Sequence, residues 1–364
     1  MNTQFKFKSL LLGAWALAFA FGAEAVDFNG SGFLTLAAAK KFDSELADGY
    51  AVVDYGQAGI YDDNKVSIGP DSKLGLQGVL TFNPQWSATG QVVSRGAQDG
   101  KINLEWLYAT YQATDDLTVQ FGRKRLPLFY YSESQDVGIS LPWVRLPPQA
   151  YGWDVVNFTG ANLIYRGNLG AWSSTAEVFY GNESRKDNPY QEIYNGRNTR
   201  SDEKWTDIVG ADWTLSRDWF EARFSVVHSN WEVDGTNNGG QTFYSVAAMA
   251  DYENWLLRSE YSVIKRLDAS EDDWAVMVGV GRQVGKWLPM LTYSEFHGTY
   301  TDGSPNERDS NIALSLRYDL TSSSAIKVQY DVFKDNSDVG ITSYNASGYY
   351  GDSKMLSISY DRTF

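Results

Sequence analysis

The chain contains no cysteine and only two histidines. The lack of cysteine excludes disulfides, thiolate catalysis and cysteine-based metal sites. After Ala25 the sequence also lacks any run of 18 apolar residues, so the rest of the chain offers no membrane-spanning helix. A chain that enters a membrane without such helices must do so as a closed β-barrel.

The first 25 residues have the pattern of a signal peptide. Two lysines precede an uncharged apolar run over 10–21, and Ala23 and Ala25 have the spacing of small residues at a cleavage site. The run is shorter than the roughly 20 residues needed to cross a bilayer. We therefore expect a signal peptide over 1–25 and one mature domain over 26–364, with a formal charge of about −15 instead of −14.

Aromatic residues are abundant although the chain is polar on average. There are 13 Trp, 23 Tyr and 18 Phe, yet the mean hydropathy is negative. A transmembrane barrel reconciles these two facts, because apolar residues face lipid, polar residues face a wet lumen and aromatic residues collect at the interfaces.

The main periodic signal is alternation of apolar and polar residues in segments of about ten, the length of a strand that crosses a bilayer. Such segments occur at 172–180, 220–226, 244–252, 311–318 and 325–333. In 311–318 the apolar face carries Ile312, Leu314, Leu316 and Tyr318. The faces of 102–112 cannot be assigned from this pattern.

The connections between the segments alternate in length. Short ones are expected at 83–86, 113–116, 167–170, 216–218, 253–254, 284–286 and 319–323. Long polar ones are expected near 40–70, 97–101, 124–155, 182–203, 233–241, 265–273, 297–309 and 334–352. Periplasmic turns and extracellular loops produce this alternation. A soluble β-sandwich or propeller has no reason to show it.

These signals together predict an all-β, transmembrane, antiparallel barrel of about 16 strands. The count becomes 18 if the stretch 40–70 contains a further hairpin around 50–61.

The C-terminal strand carries a more specific signal. Leu356, Ile358, Tyr360 and Phe364 share one face, and the chain ends in an aromatic residue. This strand resembles the terminal strand of Gram-negative porins, which the outer-membrane assembly machinery recognises. Arg362 departs from the pattern, because those proteins usually carry an apolar residue there.

With the signal segment and the strand count, most of the mature chain resembles the general Gram-negative porin family. The resemblance implies a homotrimer in the outer membrane, in contact with lipid and lipopolysaccharide. It also implies that Tyr360 and Phe364 form the assembly signal. In that family the third extracellular loop folds into the lumen and narrows the pore.

The corresponding loop here follows the fifth predicted strand and extends over 124–154. Its aromatic residues and four prolines indicate a packed, stiff segment. Its charges are candidates for a transverse field across the pore. The candidate constriction residues are Glu133, Asp136, Arg145, Asp154, Tyr130, Tyr131 and Trp143.

Charged side chains on the lumen face of the strands form the candidate pore wall. Charge on the lipid face at mid-bilayer costs about 2–4 kcal/mol for Arg or Lys, so these residues are expected to point inward. Resemblance to general porins implies that Arg223, Arg258 and Arg317 form a basic ladder on the wall facing the loop. The candidates are Arg123, Lys124, Arg125, Arg166, Arg223, Arg258, Arg317 and Lys327.

The predicted function is passive diffusion of small hydrophilic solutes and ions through a water-filled channel. A substrate-specific channel for an anion or a sugar stays open, because Tyr130, Tyr131 and Trp143 could form a sliding surface. An outer-membrane enzyme is the other class considered, but no nucleophile motif surrounds His228 or His297. We expect no catalysis, no metal, no bound cofactor and no nucleic-acid partner. Net charge does not decide the ion selectivity.

Overall fold

The computed structural model describes residues 26–43, 51–61, 65–195, 198–267, 271–301, 306–338 and 351–364. The predicted signal peptide, 1–25, lies outside the described residues. Within them, sixteen strands form one closed antiparallel barrel, as predicted. The barrel strands are β1 (Asp27–Phe42), β4 (Lys73–Thr81), β5 (Trp86–Arg95), β6 (Ile102–Gln112), β7 (Leu117–Arg125), β8 (Asn157–Leu169), β9 (Trp172–Asn188), β10 (Ser201–Arg217), β11 (Phe220–Val233), β12 (Thr236–Tyr252), β13 (Trp255–Arg266), β14 (Glu271–Arg282), β15 (Trp287–Tyr300), β16 (Glu307–Thr321), β17 (Ser324–Asp335) and β18 (Ser353–Thr363).

The barrel closes between its first and last strands. β1 pairs with β4 on one side and with β18 on the other, and Leu36 lies opposite Tyr360. Phe364 extends this pairing through two backbone hydrogen bonds with Gly32, of 2.8 and 3.0 Å. Closure leaves no unpaired edge, which a sheet in hydrocarbon requires.

The alternation of side chains follows the prediction from the sequence. On β16, Leu314 is 56% exposed on the outer face, whereas its neighbour Ser315 is 1% exposed on the inner face. The segments 172–180, 220–226, 244–252 and 325–333 show the same division between an exposed apolar face and a more buried one. The apolar side chains therefore face away from the lumen.

Aromatic side chains gather where the short turns connect the strands. Trp86 contacts Tyr111 with ring centroids 4.6 Å apart, and Trp287 contacts Tyr318 at 4.4 Å. Further pairs lie at the neighbouring turns, namely Trp172 with Phe220 and Trp219 with Tyr252. This arrangement is a girdle of the kind found at a membrane interface.

The structure corrects one expected loop and explains one strand whose faces the sequence leaves open. The stretch 233–241 is not a long loop, because β11 and β12 continue to a tight turn in which Asp234 and Gly235 have positive φ angles. β6 contains a bulge at Glu105, where Gln91 pairs with Trp106 and Val92 with Leu104. After the bulge, side chains that would have pointed outward point inward, and the reverse. This change of side explains why the alternation in 102–112 does not assign the two faces of the strand.

The stretch 40–70 does contain a hairpin, formed by β2 (Ala51–Asp54) and β3 (Gly59–Tyr61). It forms a separate two-stranded sheet and is not part of the barrel wall, so the 18-strand alternative is wrong. Its residues Ala51, Val53 and Tyr61 pack on the inner side chains Ala39, Phe333 and Met355. The other side of the hairpin packs on Ile193 of a short helix, α1 (Glu192–Asn195).

No helix in the described part of the chain is both long enough and apolar enough to span a membrane.

Candidate pore and its inner loop

The connection between β7 and β8, residues 126–156, lies inside the barrel and is called the inner loop here. β7 is the fifth strand of the barrel, so this connection is the loop expected to narrow the pore. The Trp143 indole donates a hydrogen bond to Thr292 on β15 at 2.8 Å, and the Val144 amide donates to Gln329 on β17 at 2.9 Å. On β12, the Ser245 hydroxyl donates to the Leu128 carbonyl at 3.0 Å. The loop is thus attached to several separate parts of the wall.

Apolar packing fixes the loop at two places. Phe129 and Trp153 contact Phe243 and belong to a cluster of inner side chains from β8 to β13. Tyr131 and Trp143 contact each other and pack on the inner residues of β12, β14 and β15. Trp143 is fully buried. These contacts explain why the loop is rich in aromatic residues although it lies inside a barrel whose inner face is largely polar.

Asp136 anchors the middle of the loop to the rim of β5 and β7. Its carboxylate lies 2.6 Å from Arg95 and 2.5 Å from Arg125, and Lys73 lies 3.5 Å away. Burial alone would raise the pKa of this carboxyl, but the adjacent guanidinium groups outweigh it and hold the pKa of Asp136 well below its ordinary range. The ion pairs are therefore intact at neutral pH.

Arg145 anchors the second half of the loop. Its guanidinium lies 2.7 Å from Asp71 and 2.7 Å from Asp331 of β17. Tyr61 of the hairpin also donates to Asp71, at 3.0 Å. All of these charged groups are buried. Arg145 thus joins the loop, the hairpin connection and the wall.

Two cations of the wall hold backbone carbonyls of the loop. Lys327, which is fully buried, donates to the carbonyls of Gly138 and Trp143 and lies 3.1 Å from Asp361. Arg317 donates to the carbonyls of residues 139 and 141. Gly138 sits so close to β18 that an added Cβ would lie 1.9 Å from an Asp361 oxygen. A larger residue here would displace the side chains of Asp361 and Thr35.

One acidic residue of the loop remains exposed. Glu133 interacts electrostatically with Glu177 and Asp212 on the wall, and the same carboxylates interact with Lys124 and Arg223. The Lys124 ammonium lies 3.7 Å from Glu177, and Arg223 lies 3.3 Å from Asp212. We call these four wall residues with Glu133 the charged lane.

The remaining candidates are distributed around the lumen and its rim. Arg166 is exposed and donates to Thr118 next to the charged lane. Arg258 pairs with Asp251 at 2.5 Å, and Arg123 pairs with Glu183 at 2.6 Å. Asp154 is buried, and its backbone carbonyl accepts a hydrogen bond from Arg185.

The aromatic candidates differ in exposure. Tyr131 and Trp143 are buried within the apolar contacts of the loop, whereas Tyr130 is only partly buried. The Tyr130 amide donates to Glu260 at 2.9 Å, and its carbonyl accepts from Arg223 of the charged lane. Tyr130 is therefore the member of this set that lies beside the charged lane.

Asp71 and Asp212 are among the residues of these networks that the sequence did not predict. Asp71 lies in a connection without periodicity, and its partner Arg145 is 74 positions away. Asp212 follows an irregularity in β10 between Trp205 and Ile208, which interrupts the alternation. No sequence signal points to Asp71, whereas Asp212 is recognisable once the bulge is known.

The two histidines are separate and have different partners. His228 contacts the Thr242 hydroxyl at 2.9 Å, and His297 accepts a hydrogen bond from the Trp274 indole at 3.0 Å. Among the described residues, no group of three or more His, Asp or Glu side chains is arranged to hold a metal ion.

Solved structures with the same architecture are outer-membrane proteins. OmpF of Salmonella typhi has 15% identity and a TM-score of 0.61, over 93% of this chain and 97% of that one. The outer membrane channel DcaP of Acinetobacter baumannii has 13% identity and a TM-score of 0.60, over 93% and 98%. An anion-selective porin from Comamonas acidovorans has 14% identity and a TM-score of 0.60, over 93% and 100%.

The chain has the fold of a Gram-negative outer-membrane porin. No protein-family profile matches the sequence. No curated protein sequence matches it either. The porin fold is therefore established by the course of the backbone.

Proposed function

We propose that the protein is an outer-membrane porin through which small hydrophilic solutes and ions diffuse passively. The observation that carries this proposal is the charged lane, in which the wall pairs Lys124–Glu177 and Arg223–Asp212 lie within electrostatic range of the exposed Glu133 of the inner loop. Lipid-facing apolar side chains and the aromatic girdle support the location in a membrane. By fold likeness we also propose a homotrimer.

The charged lane explains how such a pore would select. Negative groups (Glu133, Glu177, Asp212) and positive groups (Lys124, Arg223) create a local field that orders water and favours polar solutes over apolar ones. Each wall cation already has a carboxylate near it, so binding of a passing ion stays weak. Weak binding allows a solute to leave as readily as it enters.

Recording in a planar lipid bilayer tests the proposal. The purified mature protein should give discrete, ohmic conductance steps in potassium chloride, and a trimer should close in three equal substeps. A preparation that inserts as a folded barrel but gives no conductance steps would contradict the pore. Single steps without substeps would contradict only the trimer.

Glu133 is expected to set part of the ion selectivity. A unit charge about 6 Å from a permeating ion contributes about 0.7 kcal/mol in water, which is about threefold in the permeability of that ion. Because the charge acts in opposite directions on cations and anions, Glu133→Gln should lower the cation-to-anion ratio about tenfold and Glu133→Lys about a hundredfold, as reversal potentials in a salt gradient would show.

Asp136→Asn provides the matched control for that measurement. Asp136 is three residues from Glu133 but is buried between Arg95 and Arg125, so its neutralisation should disturb the loop without a comparable selectivity shift. An equal or larger selectivity shift in Asp136→Asn would show that the field does not come from Glu133.

A substrate-specific channel is the second candidate, and the position of Tyr130 favours it. Its backbone carbonyl accepts a hydrogen bond from Arg223 of the charged lane, where Lys124 also lies 5.5 Å from the Tyr108 ring centroid. An aromatic surface next to cations suits an anion or a sugar. A solute that blocks the single-channel current at low concentration in the native protein, but not in Tyr130→Ala, would support this function.

We propose no catalytic activity. The separate positions and structural partners of His228 and His297 support this view.

A further inference from the structure

The hairpin of β2 and β3 crosses the mouth of the barrel at the end that carries the long connections. Its base packs on inner side chains of β1, β17 and β18. Its turn contacts β9 instead, because the Arg185 guanidinium donates to the Gly56 carbonyl at 2.5 Å and to the Gln57 side chain at 2.9 Å. β9 and β17 are eight positions apart in a closed barrel of sixteen strands, so they lie opposite each other. The hairpin therefore extends across the diameter of the mouth.

Contacts on several sides hold the hairpin in this position. Gln98, in the connection between β5 and β6, donates to the Gln57 side chain at 2.7 Å. A Cβ added to Gly56 would lie 2.7 Å from the Trp153 carbonyl oxygen, so the turn also touches the inner loop. The short helix α1 packs against the hairpin as well, and ten of the eleven residues over 51–61 are buried. The hairpin is therefore a fixed part of the mouth.

The hairpin narrows the mouth and adds little charge to it. Two paired strands lie about 5 Å apart, so the ribbon with its side chains is about 10 Å wide. A sixteen-stranded barrel without such a ribbon has an open aqueous channel. Asp54 is the only charged residue over 51–61, and its carboxylate accepts a hydrogen bond from the Gln57 amide at 3.2 Å. We therefore expect the hairpin to discriminate between solutes by size, whereas the charged lane acts on their charge.

We propose that the hairpin is a fixed size filter, in series with the inner loop, that sets the largest solute able to enter the pore. The proposal rests on the proposed channel function. Arg185, which holds the turn, is eight residues beyond Glu177 of the charged lane on the same strand, a rise of about 26 Å along β9. An entering solute therefore passes the hairpin before it reaches the charged lane.

Shortening the hairpin tests the filter. In this variant residues 52–60 are replaced by Asp-Gly, which forms tight two-residue turns and can join Ala51 to its partner Tyr61 while it keeps one carboxylate. Because the ribbon would no longer cover about half of the mouth, the single-channel conductance should rise about twofold. Larger polyethylene glycols should also enter the pore. Recordings of the full mature protein in planar bilayers, with added polyethylene glycols of graded size, measure both effects.

Glu133→Gln is the matched control, because it changes a charge and leaves the hairpin in place. It should shift the cation-to-anion ratio and keep the native polymer size limit. The shortened hairpin should shift the polymer size limit and keep a ratio close to the native one. A shortened variant that conducts with the native size limit would overturn the proposal. A native protein without conductance steps would instead contradict the channel itself, and the filter with it.

A crosslink decides the question if the shortened variant fails to fold. Gln57→Cys/Gln98→Cys places the only two thiols of the chain at side chains that lie 2.7 Å apart. A short bifunctional thiol reagent should join them and leave the conductance and the polymer size limit unchanged, because the hairpin stays across the mouth while the channel conducts. Gln98→Cys treated with the same reagent is the control. Loss of current in the crosslinked double variant alone would mean that the hairpin must move aside, and would overturn a fixed filter.

Discussion

Arg145→Ala should release the second half of the inner loop from the wall. The substitution leaves the buried carboxylates of Asp71 and Asp331 without their guanidinium partner, and such a loss typically costs about 3–5 kcal/mol. Because the lost ion pairs attach the inner loop to the wall, the loop should detach while the barrel stays closed. Single-channel recordings should therefore show a larger mean conductance and greater open-channel noise.

Two further variants make that result specific. Arg217→Ala removes an exposed ion pair with Asp218 near a short turn, and should change stability by less than about 1 kcal/mol. In the triple variant Arg145→Ala/Asp71→Asn/Asp331→Asn, no uncompensated charge remains, so the noise should fall toward that of the native channel. An Arg145→Ala channel with native conductance and native noise would mean that the loop is held by its apolar contacts alone.

Leu314→Arg should destabilise the barrel by about 2–4 kcal/mol in a lipid bilayer. Leu314 is exposed in the middle of β16, between Leu291 and Tyr330 of the neighbouring strands. A guanidinium there would lie in hydrocarbon, away from the water of either interface. Urea unfolding in lipid vesicles, followed by Trp fluorescence, would measure the difference.

The matched control is Leu267→Arg. Leu267 is 70% exposed, but it lies in the connection after β13 and outside the strands. Its substitution should leave the free energy of unfolding nearly unchanged. If the two variants were equally stable, the outer surface of β16 would not be in contact with lipid.

The sequence predicted the strands of the barrel wall better than the contacts inside the barrel, for a physical reason. On β16 and β17 one face meets lipid and the other the lumen, so the environment changes at every residue and leaves a period-two pattern. The polar stretch at 236–241 has no such contrast between its two faces. The pattern therefore does not predict that β12 includes these residues. The bulge at Glu105 removed the pattern locally although the strand continued.

The inner loop contains contacts that the local sequence does not predict. Glu133 and Asp136 are three positions apart and chemically alike, yet one is exposed and the other is buried between two arginines. The difference depends on Arg95 and Arg125, which are brought to Asp136 only when the barrel closes. Likewise, Arg145 meets Asp331 across 186 positions of the chain. Such pairs are properties of the closed barrel and leave no periodic signal.

The most direct test of the account uses the natural absence of cysteine from the chain. Single cysteines at Thr175, on the inner face of β9, and at Val178, on its outer face, differ by only three positions. With the protein in a planar bilayer, a charged, membrane-impermeant thiol reagent should lower the current of Thr175→Cys and leave Val178→Cys unchanged. Modification of Val178→Cys together with an unreactive Thr175→Cys would place water outside the barrel, and would contradict a hydrated channel surrounded by lipid.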